Sequence, residues 1–202
     1  NAKVVKAQGD GSLIEDHGNN APISNVPKDK YSAKYVTAKK ITAGDYIIRS
    51  RADDGIRVYI DDKLVLNRWS TSNYQEDAVE VSIKDRVDAK PGQADVHWIR
   101  VEYFESTGKS KIDVSIKQKN EEITTDSWLG AYYNNKNLSG RSTAVVGGAG
   151  SVNPINALNY DWGYTEPHAK ISHYNYSSSF FKKVVGGKDY FVQTYADDGI
   201  RV

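Results

Sequence analysis

Two adjacent carboxylates, Asp53 and Asp54, stand before a glycine in the string ADDGIRV. The same seven letters return at 196–202, where Asp197 and Asp198 form a second pair. Carboxylates that converge on one point repel each other unless a cation lies between them, and Ca²⁺, which takes about six to eight oxygen ligands, suits such donors. The other interpretation is a solvated turn, because Asp and Gly are common turn residues. Duplication copies a turn as faithfully as a metal site, so the motif leaves both interpretations open.

The carboxylates can act together only if the backbone departs from a regular strand. On a strand, successive side chains point to opposite faces, which would separate Asp53 from Asp54. We therefore expect the pair in a loop or at a distorted strand end. Gly55 follows directly and accepts backbone conformations that other residues avoid, which favours such a departure.

The rest of the chain predicts strands nearly everywhere. Apolar residues alternate with polar ones, with a period of two and no helical period. Glycine, proline, serine and aspartate separate these runs at positions typical of turns between antiparallel strands. The expected fold is an all-β antiparallel sandwich or barrel. The clearest alternating runs are Ile56–Ile60, Val79–Ile83 and Ile112–Ile116.

An internal repeat organises the chain. One constant spacing matches Asp16 with Asp161, Gly18 with Gly163 and Pro22 with Pro167, and after a single-residue gap residues 52–58 match 196–202. We interpret this as a tandem repeat cut inside both copies. Residues 1–119 are then a first module lacking its N-terminal strand, 120–126 a polar linker, and 127–202 the N-terminal part of a second module.

The missing strand of the first copy suggests strand exchange. Residues 128–139 open the second copy and have no counterpart in the first, whose sheet would then expose an unpaired edge. This segment is expected to complete the first copy, either within the chain or from a neighbouring molecule. Alternatively, the cut reflects proteolysis, and the chain is an excised fragment.

Composition excludes several function classes. The chain has 27 basic and 26 acidic side chains, a balance that gives no overall attraction to nucleic acid or to a membrane surface. No apolar run is long enough for membrane insertion, and the first residues do not have the pattern of a signal peptide. The absence of cysteine excludes disulfides and, with many Tyr, Asn, Ser and Gly residues, is common among exported proteins of Gram-positive bacteria.

We predict no enzymatic activity. The four histidines show neither of the spacings HxH and HExxH, and no Ser-His-Asp arrangement can be assembled. No glycine-rich phosphate loop leads from a strand into a helix. A glycosidase needs two carboxylates across a cleft, and nothing in the spacing of the acidic residues demands that geometry.

The string ADDGIRVYIDDKLVLNRW at 52–69, with IRVEYFESTGKSKIDVSI at 99–116, resembles the PA14 domain family. The later part of the chain supplies the opening of the same pattern, with Trp128, the string YYN at 132–134, and NYDWG at 159–163. The family is a β-sandwich module, so the resemblance implies the fold expected above. It also implies a noncatalytic module of secreted glycosidases, adhesins, toxins or cell-surface proteins.

In sugar-binding members of this family, a calcium ion is held by two adjacent Asp residues joined by a cis peptide bond, and the ion also binds sugar hydroxyls. The resemblance places that pair at Asp53–Asp54 and at Asp197–Asp198. The second calcium loop of the family falls at 104–109, where Glu105 would donate a side-chain oxygen and Gly108 a backbone carbonyl. Ser106 and Lys109 of this loop are candidate ligand contacts. The loop lacks the Asn and Trp of the yeast adhesins, so no sugar specificity is carried over.

Two functions follow from this interpretation. The first is a calcium-dependent carbohydrate-binding module of a secreted or cell-wall-associated bacterial protein, which binds surface glycans or cell-wall polysaccharide outside the cell. The second is a structural spacer, or a module that contacts another protein, in a surface protein or toxin without sugar binding. Both place the protein outside the cell.

Overall fold

The computed structural model describes residues 13–202, which are almost entirely strands and turns. The first eight strands are β1 (Leu13–Gly18), β2 (Tyr31–Lys40), β3 (Gly44–Asp53), β4 (Gly55–Ile60), β5 (Lys63–Arg68), β6 (Gln75–Ile83), β7 (Val96–Glu105) and β8 (Ser110–Gln118). They are followed by α1 (Lys119–Glu122), β9 (Leu129–Tyr133), β10 (Ala144–Gly147) and β11 (Ser177–Phe181).

Strands β1 to β8 form an antiparallel β-sandwich, which confirms the predicted fold class. The first sheet has the order β1-β8-β3-β6 and the second the order β2-β7-β4-β5. Alternate residues of β4 and β7 are buried, as the period of two predicts. The core between the sheets contains branched aliphatic side chains from both, among them Ile48, Ile56, Val101 and Ile112. Burial of these side chains is the main source of stability.

The chain passes from one sheet to the other at the acidic pair. Asp53 is the last residue of β3 in the first sheet, and Gly55 is the first residue of β4 in the second. Asp54 is the single residue between them. The pair therefore lies at a strand end, as the alternation argument requires.

Residues 127–202, which we call the C-terminal segment, contribute a third sheet with the order β10-β9-β11. This sheet packs on the outer face of the first sheet. Leu129 and Val145 contact Ile47 and Ala78, while Ile48, the neighbour of Ile47, lies in the sandwich core. Strand β3 is therefore buried on both faces.

The intramolecular form of the predicted strand exchange is wrong. Strand β9, within the expected exchanging segment 128–139, pairs with β10 and β11 of its own segment and with no strand of the sandwich. Its buried side chains, among them Leu129 and Tyr132, pack against neighbours that pairing in the first sheet would not provide. Exchange between two molecules stays a prediction.

The predicted linker, residues 120–126, is structured in part. Residues 119–122 form α1, and Glu122 is only 1% exposed. Ile123 packs against the cluster beneath the third sheet. Within the described residues 13–202, no helix is long and apolar enough to cross a membrane.

Candidate functional site

The acidic pair lies at one end of the sandwich, beside the last residue of β7. The peptide bond between Asp53 and Asp54 is cis, as the resemblance implied. Gly55 lies under the ring of Phe104, and a methyl group at Gly55 would overlap that ring. A glycine is therefore needed where the chain enters the second sheet so close to β7.

Three carboxylates converge at this end of the molecule. One oxygen each from Asp53, Asp54 and Glu105 can be chosen so that all three lie within 4.8 Å of one another. Asp54 is 5% exposed and Glu105 is 1% exposed. Among the described residues, no Lys, Arg or His forms an ion pair with any of the three. The cluster is thus rich in oxygen donors and, within residues 13–202, has no ion-pair partner.

Two backbone N–H groups fix the carboxylate of Asp54. The N–H of Ser72 donates to Oδ1 at 2.9 Å, and the N–H of Ser106 donates to Oδ2 at 2.8 Å. Each carboxylate oxygen has a further lone pair free for another donor or for a cation. The loops that follow β5 and β7 therefore orient this ligand from two sides.

The carboxyl group of Glu105 has a raised pKa. Burial raises the pKa of its carboxyl group to about 7, and the charges of Asp54, Asp53 and Asp29 add to that effect, while a hydrogen bond from the Tyr103 hydroxyl to Oε2 at 3.0 Å opposes it. Its other oxygen, Oε1, is buried and has no hydrogen-bond partner. Burial and the charge of Asp54 also raise the pKa of Asp53. Arg68 and Lys109 oppose the rise in the pKa of Asp53, and burial is the main cause of the rise at both residues.

An open cleft of ≈520 Å³ lies in front of the acidic pair. Its walls carry hydroxyl and amide groups from the loop after β5, and a hydroxyl and an ammonium group from the loop after β7. Such groups donate and accept hydrogen bonds without demanding a charged ligand. The lining residues are Asp53, Asp54, Thr71, Ser72, Asn73, Thr107 and Lys109.

The other residues predicted from the family resemblance lie in the loop after β7. Lys109 lines the cleft. Ser106 contributes its backbone N–H to Asp54 and is not among the lining residues. Gly108 is exposed at φ +110°, and its N–H donates to Asp29 Oδ1 at 3.1 Å.

The second acidic pair has a different environment. Asp197 and Asp198 are exposed, lie outside any strand, and are not grouped with a third carboxylate in the part of the chain that the structure describes. A strand-to-strand crossover, which positions the first pair, does not exist there. We propose no metal site at this pair.

Sequence reasoning missed the residues that hold the site in place. Arg68, at the end of β5, donates to the carbonyls of Ala52 and Asp54, both at 3.0 Å. The Tyr103 hydroxyl lies within hydrogen-bond distance of both the carbonyl of Asp53 and Oε2 of Glu105, and its single proton is shared between these two acceptors. In the sequence, Arg68 and Tyr103 are typical of ordinary residues in alternating strand patterns. The only signal for Arg68 was its place beside Trp69 in the motif that resembles the PA14 family.

The PA14 domain family matches residues 7–128, which is more than half of the chain. The anti-sigma-I factor RsgI3 of Acetivibrio thermocellus is 22% identical over 200 residues, which cover 93% of the chain and 30% of that protein. The chain thus spans less than a third of that relative.

Two solved structures are similar to parts of the chain. One is an anti-sigma factor domain-containing protein, with a TM-score of 0.47 and 16% identity, and the match covers 85% of this chain and 60% of that protein's chain. The other is a PA14 sugar-binding domain from an RTX adhesin, with a TM-score of 0.39 and 19% identity, and the match covers 48% of this chain and 52% of that protein's chain. The family assignment rests on the match over residues 7–128 alone. On that match, the chain belongs to the PA14 domain family.

Proposed function

We propose that Asp53, Asp54 and Glu105 bind Ca²⁺ and that the chain is a calcium-dependent carbohydrate-binding module. One observation carries the proposal. Three carboxylates lie within reach of one ion, two of them are almost inaccessible, and none has a cationic partner among the described residues. Buried charges are tolerated in proteins when they are paired or coordinate a metal, and no ion pair forms here among residues 13–202.

The donor set favours calcium over other divalent ions. All three side-chain ligands are carboxylates, without the imidazole or thiolate that zinc and copper prefer. Mg²⁺ demands a near-ideal octahedron, whereas Ca²⁺ accepts about six to eight oxygens in irregular geometry. Three protein carboxylates leave coordination positions for backbone carbonyls, such as that of Gly108, and for oxygens from the cleft.

The cleft favours a glycan as the molecule that supplies those oxygens. Thr71, Ser72, Asn73 and Thr107 present small polar groups beside the acidic cluster, and Lys109 adds a donor. Sugar hydroxyls both donate and accept hydrogen bonds and can also bind calcium directly. In this proposal the module is noncatalytic and belongs to a secreted or cell-wall-associated protein that binds surface or cell-wall polysaccharide.

A thermal melt with and without calcium tests the metal site. An ion that binds the folded state and not the unfolded one raises the free energy of unfolding, by about 2.7 kcal/mol when the ion concentration is 100 times the Kd. The Tm rises as a result. We expect the parent chain to respond and Asp53→Asn to lose most of the response. Asp62→Asn is the matched control, because the Asp62 side chain is 93% exposed in the turn after β4. Equal Tm values with calcium and with a chelator in the parent chain would contradict the proposal.

A glycan array in calcium and in chelator tests the carbohydrate. Binding that needs calcium and is lost in Asp53→Asn supports the module as proposed. A calcium-stabilised protein that binds no glycan supports a structural spacer or a module that contacts another protein.

The likeness to an anti-sigma-I factor over 93% of the chain favours a second candidate. In it, the chain is the ligand-binding part of a longer anti-sigma factor, and ligand binding alters how that protein acts on its sigma factor. Transcription from a promoter of that sigma factor, in cells producing the full-length protein, tests this candidate. Polysaccharide should change transcription with the parent protein and not with Asp53→Asn, whereas equal responses would reject it.

A further inference from the structure

Arg68 holds the backbone on both sides of the Asp53–Asp54 pair. Its Nη2 donates to the carbonyl of Ala52 and its Nη1 to the carbonyl of Asp54, both at 3.0 Å, and the side chain is only 6% exposed. One guanidinium therefore fixes the peptide group before Asp53 and the peptide group after Asp54. Since these groups set where the side chains of Asp53 and Asp54 begin, Arg68 sets the geometry of the acidic pair.

Asp77 on β6 orients Arg68 and carries a second cation. Arg68 Nε donates to Asp77 Oδ2 at 2.5 Å, and Lys170 Nζ donates to Asp77 Oδ1 at 2.6 Å. The side chain of Asp77 is 3% exposed. Lys170 belongs to the C-terminal segment, 93 residues further along the chain. One buried carboxylate thus connects the acidic site of the sandwich to the C-terminal segment.

Lys170 determines how Asp77 can bind Arg68. A carboxylate often binds a guanidinium through both of its oxygens, in a two-pronged arrangement that uses two nitrogens of the arginine. Lys170 on Oδ1 and Arg68 Nε on Oδ2 together fix the orientation of the Asp77 carboxylate. Without Lys170, one of these two contacts is lost, and Asp77 holds the guanidinium of Arg68 less firmly against the two carbonyls.

We propose that Lys170 is a positioning residue for the calcium site and that docking of the C-terminal segment thereby raises the calcium affinity of the sandwich. This inference rests on the proposed function. The charge of Lys170 acts in the opposite direction, because a cation near the site repels calcium. The sign of the change on removing Lys170 therefore separates positioning from simple charge.

Calorimetric titration of Ca²⁺ into the 202-residue chain tests the inference. We expect Lys170→Met to bind calcium about fivefold more weakly, less than the roughly 10- to 100-fold cost of losing a group that directly hydrogen-bonds a metal ligand. Lys170→Arg keeps a donor for Asp77 and should restore most of the affinity. Lys183→Met is the matched control, because Lys183 also reaches out of the C-terminal segment but donates to the carbonyl of Asn120 in α1.

The NMR signals of the Arg68 side-chain N–H groups give a second readout, without calcium. The signals should shift in Lys170→Met and keep their positions in Lys183→Met. A general loosening of the C-terminal segment would not produce this difference between the two variants. If the parent chain binds no calcium, the proposed function fails and the inference falls with it. If the parent binds calcium and Lys170→Met binds it equally or more tightly, the inference alone is overturned.

Discussion

At the residue scale, Glu105 is positioned at a cost to stability. Its carboxyl group is buried beside two other carboxylates, and its pKa is raised to about 7 by that burial and by the charges of Asp54 and Asp53. Sites that serve a ligand often keep such unfavourable groups, which substitution can relieve. The residue therefore offers a test that separates a binding role from a structural one.

Glu105→Gln should stabilise the calcium-free protein and weaken calcium binding. The amide has the shape of the carboxylate and its oxygen can still accept the Tyr103 hydroxyl, but it carries no charge. We expect about 1 kcal/mol of added stability in chelator and a loss of most of the calcium-induced rise in Tm. Urea unfolding in chelator and in calcium measures both effects.

Glu102→Gln is the control for that change. Glu102 lies on the same strand, faces the other side of the sheet, and pairs with Arg100 and Arg57. It should leave the calcium response intact. A Glu105→Gln protein that is less stable than the parent in chelator would show that the carboxylate has a structural role instead.

Gly55 is the second residue on which the site depends. Gly55→Ala would press a methyl group into the ring of Phe104, which packs edge-on against Trp69 with 4.8 Å between ring centroids. Overpacking of this kind typically costs about 1–3 kcal/mol. Chemical denaturation should show a loss in that range, whereas Gly186→Ala, which has no atom within 4 Å of the new methyl group, should be near neutral.

At the element scale, one arginine of β3 joins the sandwich to the residues that follow it. Arg49 is 4% exposed and donates to Glu76 of the neighbouring strand, to Glu122 of α1 and to the carbonyl of Gly147 at the end of β10, each at 2.9 Å. Glu122 also accepts the N–H of Gly150 at 2.9 Å. Strand, helix and third sheet are thus held by one hydrogen-bonded network.

Arg49→Met should be strongly destabilising, because it leaves Glu122 buried without its cation. Breaking a buried pair from one side typically costs about 3–5 kcal/mol. We expect faster hydrogen exchange in β9 and β10 than in β2 and β7, as well as a lower urea midpoint. Adding Glu122→Gln should recover part of the loss. Arg86→Met, whose partner Asp88 is largely exposed, is the control; a loss of equal size there would argue against the network.

Most of the sandwich was predictable because half-buried strands have a simple signature. The period of two in β4, β6 and β8 shows directly which residues face the core. The third sheet was harder to place. Burial of β3 on both faces depends on contacts with β9 and β10, and no local pattern in 127–202 shows where that sheet packs.

The acidic pair was predictable because its two carboxylates are adjacent in sequence, and the family resemblance added Glu105. The positioning groups were not predictable. Arg68 and Asp77 act through hydrogen bonds between different strands and to backbone carbonyls, and such contacts leave no spacing to recognise. The metal role expected of Asp197 and Asp198 stays a prediction, because the repeated string lies in different surroundings from the first pair.

At the scale of the whole molecule, the C-terminal segment makes polar contacts with several parts of the sandwich. Arg141 donates to the carbonyls of Glu80 and Val65, Lys170 binds Asp77, and Val152 donates its N–H to Glu76. These contacts lie on β5 and β6. They fix the orientation of the third sheet as well as its position.

We expect the protein to be a monomer in solution. Strand β9 has partners on both sides within its own chain, so exchange with a second molecule would have to break those pairings first. Light scattering coupled to size-exclusion chromatography, over a wide range of concentrations, measures the mass. A dimer in which β9 pairs with the sandwich of the other molecule would instead confirm the exchange that the repeat suggested.

The double burial of β3 has a practical consequence for anyone who wishes to produce the sandwich without residues 127–202. Ile47 and Ala78, which lie under Leu129 and Val145 in the full chain, would face water and make the shortened protein prone to aggregate. Redesigning those two positions with polar, strand-compatible side chains, such as Ile47→Thr and Ala78→Ser, should restore solubility without touching the acidic end of the molecule.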